Sequence, residues 1–275
     1  MIGIFDSGFG GLTVLREYLK KYPEFDYVYL GDQANSPYGP HSKERVEQLT
    51  MKGVDFLVKQ GCELIIVACN TASADALRAA QQKYQGKPVI LGVIVPAVEE
   101  ALKKSPFGNV GLIATRSTVN SRAYERELEK YGHLYEKKDK RARDQVKVYS
   151  EACPLLVPLI EEGMIKNPAT RMILRNYLRP LKHARVDTLI LGCTHYPLLQ
   201  KEVERMMGKN CHVISSSMAS VEAIESYFER HPELPEKLSK GGTRRYLTTD
   251  SVERFQELGS RFLGKKIEVK KVDLL

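Results

Sequence analysis

Short apolar runs and amphipathic stretches alternate along this chain. MIGIF, DYVYL, CELIIVA and PVILGVIV are dominated by Val, Ile, Leu and aromatic residues. Continuous runs of this kind predict strands buried on both faces, because a half-exposed strand would alternate. LTVLREYLKKY, SKERVEQLTMKGVDFLVKQG and TASADALRAAQQKY lie between them and carry apolar residues at helical spacing. A second series opens near residue 109. NVGLIA repeats the pattern of MIGIF, and STVNSRAYERELEKYG predicts a helix capped by Ser117. VKVYS and VDTLILG predict strands. PLLVPLIEEGM, PATRMILRNYLRPLKHA and YPLLQKEVERMM predict helices, with Pro168 suited to a first helical position. HVISS, VEAIESYFERH, RRYLTT, SVERFQELGSRFLG and KIEVKKV add further α/β material.

Strand–helix alternation implies right-handed crossovers and parallel sheets covered by helices. The two series echo each other: LIIVACNT and TLILGCTH each run from an apolar strand straight into a cysteine. The expected fold is α/β, with two similar three-layer domains built on mainly parallel sheets. The first would hold residues 1–95 plus 210–275, and the second residues 96–209. Ligands of such sheets bind beyond the carboxyl ends of the strands, so the active site is expected in the cleft between the domains.

The 275 residues suffice for one large or two modest domains. The net charge of +8 arises from 42 basic and 34 acidic residues. The basic stretches, residues 137–147 and GKKIEVKKVDLL, are neither unbroken nor interleaved with aromatics, so they read as solvated faces rather than a nucleic-acid platform. No apolar run reaches 18 residues, and the start lacks the basic and apolar regions of a signal peptide. A cytoplasmic protein without a membrane partner is expected. The five cysteines form no CxxC pair, which speaks against a disulfide framework and a zinc site.

Cys62 and Cys211 read as packing residues, and Cys153 is ambiguous. Cys69 and Cys193 differ because polar groups follow at once: Asn70 and Thr71 after the first, Thr194 and His195 after the second. A thiol at a strand-to-helix junction also faces helix N–H groups, which favour its thiolate. FDSGFGG places Asp6 and Ser7 after the first strand. It fails the G-x-G-x-x-G dinucleotide pattern, since position 13 is Thr. Asp6 either orients a substrate ammonium or a thiol, or with Ser7 caps the next helix. In SPYGP, Pro37 and Pro40 limit the backbone, Tyr38 offers a hydroxyl, and Gly39 allows close approach. Thr115 and Thr118 follow the strand that matches the first one. Glu161 and His195 are candidate helpers of Cys193.

DSGFGGL, SPYGP, VACNTASA, TRSTVNSRAY, ACPLLVPLIEEG, LGCTHYPLL and YLTTDSVERFQELGSRFLG together resemble bacterial glutamate racemase, a member of the cofactor-independent amino-acid racemase superfamily. They run in family order over almost the whole chain. The resemblance implies racemisation of glutamate without metal or other cofactor, D-glutamate for peptidoglycan, and a homodimer. It makes Cys69 and Cys193 the acid/base pair, with Asp6 assisting the former and Glu161 and His195 the latter. Asp6, Ser7, Tyr38, Gly39, Asn70, Thr71, Thr115, Thr118, Thr194 and His195, with Pro37 in the same loop, would hold the substrate. His41 stands where the family commonly has Arg, Ile94 where it has Glu, and VISSSMASV lacks a customary acid. Aspartate racemisation or another reaction on the same fold is the enzymatic alternative. A non-catalytic nucleic-acid-binding role, suggested by net charge alone, is the other.

Overall fold

The computed structural model describes residues 1–132 and 146–274. Most of the basic stretch 137–147 therefore lies outside the described residues. The chain opens with β1 (Ile2–Asp6), α1 (Leu12–Lys21), β2 (Tyr27–Gly31), α2 (Lys43–Lys59), β3 (Leu64–Val67), α3 (Asn70–Asp75), α4 (Leu77–Tyr84), β4 (Val89–Gly92) and α5 (Ile94–Lys104). Next come β5 (Asn109–Ala114), α6 (Arg116–Asn120), α7 (Ala123–Gly132), β6 (Lys147–Ala152), α8 (Leu156–Glu161), α9 (Pro168–His183), β7 (Thr188–Gly192), α10 (Gln200–Met207) and β8 (His212–Ser215). The last elements are α11 (Ser216–Arg230), α12 (Glu233–Lys237), β9 (Arg244–Thr248), α13 (Val252–Leu263) and β10 (Val269–Lys271).

The expected α/β architecture is present, and its strands form two sheets. One has the order β10-β9-β2-β1-β3-β4 and the other β6-β5-β7-β8. Among the described residues every strand pairing is parallel. The order β2-β1-β3-β4 repeats as β6-β5-β7-β8, so β3 and β7 occupy equivalent places. Side chains of β3 alternate across the sheet: Leu64 and Ile66 face one core, Ile65 and Val67 another. Each such fully buried aliphatic side chain contributes about 1.5–3 kcal/mol. The core containing Leu64 and Ile66 also takes in Ile113, Leu189 and Leu191 of the second sheet. Apolar packing is thus shared across the junction of the two sheets.

Four expectations are corrected. The division at residue 210 assigns HVISS to the first domain, yet β8 pairs with β7 and completes the second sheet. The chain returns to the first sheet only at β9, beside β2. PVILGVIV is a strand only to Gly92; Ile94 already begins α5 and is buried against the second sheet's core. The helix expected over 71–84 breaks at Ala76 into α3 and α4. The helix after β5 is capped by Thr115, not Ser117: the Thr115 side chain accepts from the Thr118 N–H. It breaks near Arg122, whose φ of 53° lies in the left-handed region. Pro168 begins α9 as anticipated, behind Asn167, whose side chain accepts from the Ala169 N–H.

Candidate active site

Every residue of the expected site follows a strand end or lies on a segment that reaches one. Cys69 is the N-cap of α3, where its sulfur accepts from the Ala72 N–H at 3.5 Å. It lies 3.6 Å from Ser7 Oγ. Cys193 follows β7, and its sulfur is 3.8 Å from His195 Nδ1. His195 Nε2 is 3.0 Å from Glu161 Oε1 at the end of α8. The His195 ring packs against Phe262 of α13 at an interplanar angle of 87°. Both thiols are 6% exposed, so water is largely excluded from each.

Asp6 is fully buried. Its Oδ2 accepts from the Gly8 N–H at 3.0 Å, and Oδ1 faces Thr194 Oγ1 at 3.4 Å, which links the two sheets. Thr71, Thr115 and Thr118 form a triangle of hydroxyls separated by 2.9, 3.2 and 3.0 Å. Thr71 comes from the first sheet's side and the other two from the second's. Gly39 approaches Thr115 so closely that a Cβ there would lie 2.9 Å from the Thr115 Cβ. The Gly39 carbonyl also accepts from the Ser117 N–H at 3.3 Å, tying SPYGP to the start of α6.

The Tyr38 hydroxyl is not the free group that the sequence suggested. Its hydroxyl is buried and donates to Asp32 Oδ2 at 2.7 Å. Asp32 also accepts from Asn35 and Thr249, so the phenol fixes the loop from beneath. Pro37 is exposed. A cavity of about 590 Å³ is lined by Pro37, Gly39, His41 and Thr115 together with Cys153 and Val157. Neither Cys69 nor Cys193 lines it, so it flanks the thiols rather than containing them. Cys153 packs in the core. Among the described residues no group of three or more His, Cys, Asp and Glu side chains could hold a metal ion.

Burial pushes the Cys69 thiol up to about 12, and the neighbouring Asp6 adds to this. The Ala72 N–H and Ser7 hydroxyl pull the other way and do not prevail. The helix N–H of Ala72 thus favours a Cys69 thiolate as expected, but burial in this dry site outweighs it. Asp6 is itself raised by burial, against His195 and its hydrogen bonds. Burial opposes charge on His195, but hydrogen bonds to Cys193 and Glu161 outweigh it and lift the imidazole to about 10. A protonated His195 places its positive charge beside the Cys193 sulfur.

Raised values at His195 and Cys69 set the sign of the pH dependence of folding. A group whose folded pKa exceeds its unfolded value binds a proton on folding, so its stabilisation is lost as pH rises. His195 contributes in full below 6.5 and loses its contribution as pH climbs through about 10. Cys69 acts in the same direction from 9 towards about 12. The melting temperature is expected to fall between pH 7 and 10, and His195→Asn should flatten that slope. Thermal melts of both proteins across this range would expose the assignment as wrong if their slopes coincided.

Three polar residues near these groups carried no assignment in the sequence reading. Asp32 directly follows β2, one register step beyond Asp6 at the end of β1, and an acid after an apolar run was the available signal. Thr13 donates to the Thr194 carbonyl at 2.8 Å, and Tyr124 donates to Asn70 Oδ1 at 2.6 Å. Both lie inside helices, where nothing distinguishes them from packing residues.

Comparison with known proteins identifies the family of the chain. The model of the Asp/Glu/hydantoin racemase family matches residues 12–224. A glutamate racemase of Aquifex aeolicus is 40% identical over 269 residues, covering 98% of this chain and 96% of the relative. A glutamate racemase isoform from Bacillus anthracis superposes with a TM-score of 0.88 at 35% identity, covering 100% of this chain and 97% of that one. The Francisella tularensis glutamate racemase, solved in complex with D-glutamate, gives 0.86 at 30% identity, covering 99% and 97%. With similarity along nearly its whole length, the chain belongs to the Asp/Glu/hydantoin racemase family and, within it, to the glutamate racemases.

Proposed function

We propose that this isomerase interconverts L- and D-glutamate by passing the Cα proton between Cys69 and Cys193, without pyridoxal phosphate, metal or nucleotide. D-Glutamate for peptidoglycan is the product this activity supplies, and a cytoplasmic homodimer is its working form. No nucleic acid takes part. No helix among the described residues is long and apolar enough to cross a membrane. The observation that carries the reading is the pair of buried thiols at equivalent strand ends, each with its own polar neighbours.

Inversion at Cα requires a base on one face and an acid on the other. Cys69, held up at about 12, is a proton donor at neutral pH. Cys193 lies beside the His195 cation, which stabilises negative charge on its sulfur and stores a proton with Glu161. In one direction Cys193 removes the Cα proton and Cys69 delivers its own; the reverse direction exchanges these roles. Asp6 opposes negative charge on Cys69 until an ammonium pairs with it. The substrate's own ammonium supplies that pairing, which makes Cys69 a better base once glutamate is bound. Developing charge on the carbanion and carboxylates is met by Asn70, Thr71, Thr115, Thr118 and Thr194 and by nearby amides, in a site from which water is excluded.

Circular dichroism of L-glutamate with purified protein and no added cofactor tests the reading, with L-aspartate as the comparison. The glutamate signal should decay to zero. Activity lost on dialysis against chelator and restored by metal would overturn it, as would faster turnover of aspartate. Asp6→Asn should act through the Cys69 face and His195→Asn through the Cys193 face. Their kcat and KM values should shift unequally between directions, while the Haldane relation fixes the ratio of kcat/KM. Identical shifts in every parameter would remove the division of labour.

A further inference from the structure

The protons around the Asn70 amide can be assigned in sequence. Ser216 Oγ lies 3.1 Å from the Leu191 carbonyl, which only accepts, so the hydroxyl gives its single proton there. Ser216 then has only lone pairs left, and the atom facing it at 3.4 Å must be a donor, Asn70 Nδ2. Asn70 Oδ1 therefore points the other way and accepts the Tyr124 hydroxyl proton at 2.6 Å. All three side chains are buried, with Tyr124 and Ser216 at 0% and Asn70 at 2%. Burial raises the Tyr124 pKa far above its ordinary value, so the phenol keeps the proton it must donate. Among the described residues, the second Nδ2 proton has no acceptor.

An unrestrained amide is nearly symmetric in shape, and its flipped form would aim an oxygen at a carboxylate. Asn70 directly follows Cys69, so the difference matters where the substrate is held. We infer that Tyr124 and Ser216 are positioning residues that lock the Asn70 amide, presenting one N–H to the substrate beside Cys69. This rests on the reading of Asn70 as a carboxylate donor given above. The lock also spans the molecule: Asn70 follows β3 of the first sheet, whereas Tyr124 lies on α7 and Ser216 directly follows β8 of the second. The amide is set only while the two sheets are docked.

The test compares Tyr124→Phe, Ser216→Ala, Asn70→Ala and the Asn70→Ala/Tyr124→Phe double variant of the full chain, with kcat and KM measured in both directions. Folding is checked by far-ultraviolet circular dichroism. Tyr124→Phe should raise KM about tenfold, the size of one buried hydrogen bond, with kcat within about threefold of wild type. Asn70→Ala should raise KM further. In its background Tyr124→Phe should add nothing, because both changes act on one amide. If Asn70→Ala weakens binding while Tyr124→Phe leaves KM within about twofold, the lock is refuted and the site reading survives. An undiminished effect of Tyr124→Phe in the Asn70→Ala background also refutes it, since the phenol would then act by packing alone. A wild-type KM in Asn70→Ala overturns the reading of Asn70 and the lock together. Should Tyr124→Phe fail to fold, Ser216→Ala alone and combined with Asn70→Ala is held to the same criteria.

Discussion

Cys69→Ala and Cys193→Ala are each expected to lower net racemisation by at least about 10³-fold, within the range that one acid/base group contributes. Loss of either thiol leaves only one face of Cα served, and inversion needs both. The wild-type protein in D₂O gives the complementary result. At early conversion the product should carry deuterium at Cα while recovered substrate stays largely protiated, because the proton removed and the proton delivered belong to different sulfurs. A single shuttling base would return deuterium to the original face. Substantial early label in recovered substrate would rule out the two-thiol route, as would full activity in either variant. The low exposure of both sulfurs favours a clean result, since exchange of each thiol with solvent must pass through a nearly closed site.

Gly10→Ala is expected to cost about 1–3 kcal/mol of stability, as overpacking of a filled site does, and at least about 100-fold in kcat/KM. A Cβ at Gly10 would collide with Thr194 Oγ1 and with Nδ1 and Cε1 of His195. Neither side chain can simply step aside. Thr194 is held at its carbonyl by Thr13 and faces Asp6, and His195 is fixed by Glu161 and Phe262. Displacing His195 moves the cation away from Cys193. Gly61→Ala is the contrasting control, since Gly61 has φ of +78° and nothing within 4 Å of its added Cβ. That variant should lose stability through backbone strain and keep its kcat/KM. Equal losses of kcat/KM in the two variants would show that crowding of the His195 relay is not the cause.

Much of this was legible in the chain because each functional strand ends abruptly. Cys69, Cys193, Asp6 and Thr115 stand where an apolar run stops, and parallel sheets put such ends together. Glu161 and His195 were each named as helpers of Cys193, but no spacing showed that they contact each other; only the fold brings them to 3.0 Å. The allocation of β8 was missed because sheet membership is a long-range property, while HVIS alone fits either neighbour. That the Tyr38 hydroxyl is engaged was not legible, because a tyrosine in a loop looks available and only the fold reveals Asp32 beneath it. Tyr124 and Ser216 left no mark, since a buried hydroxyl on a helix is identical in sequence to one that merely packs.

The position of β9 beside β2 bears on how the chain is made. β2 leaves the ribosome early, yet the strand that covers its outer edge lies at Arg244–Thr248. At about 5–20 residues per second, the nascent chain spends about 10–40 s with that edge unpaired. The second sheet has no such delay, because β5 to β8 are consecutive in synthesis and pair only with one another. A translation arrest before residue 244 would thus release a polypeptide with one completed sheet and one exposed strand, Tyr27–Gly31, whose N–H and C=O groups are open to another chain. Chaperone demand for this protein should accordingly peak late in elongation and subside once β9 has emerged.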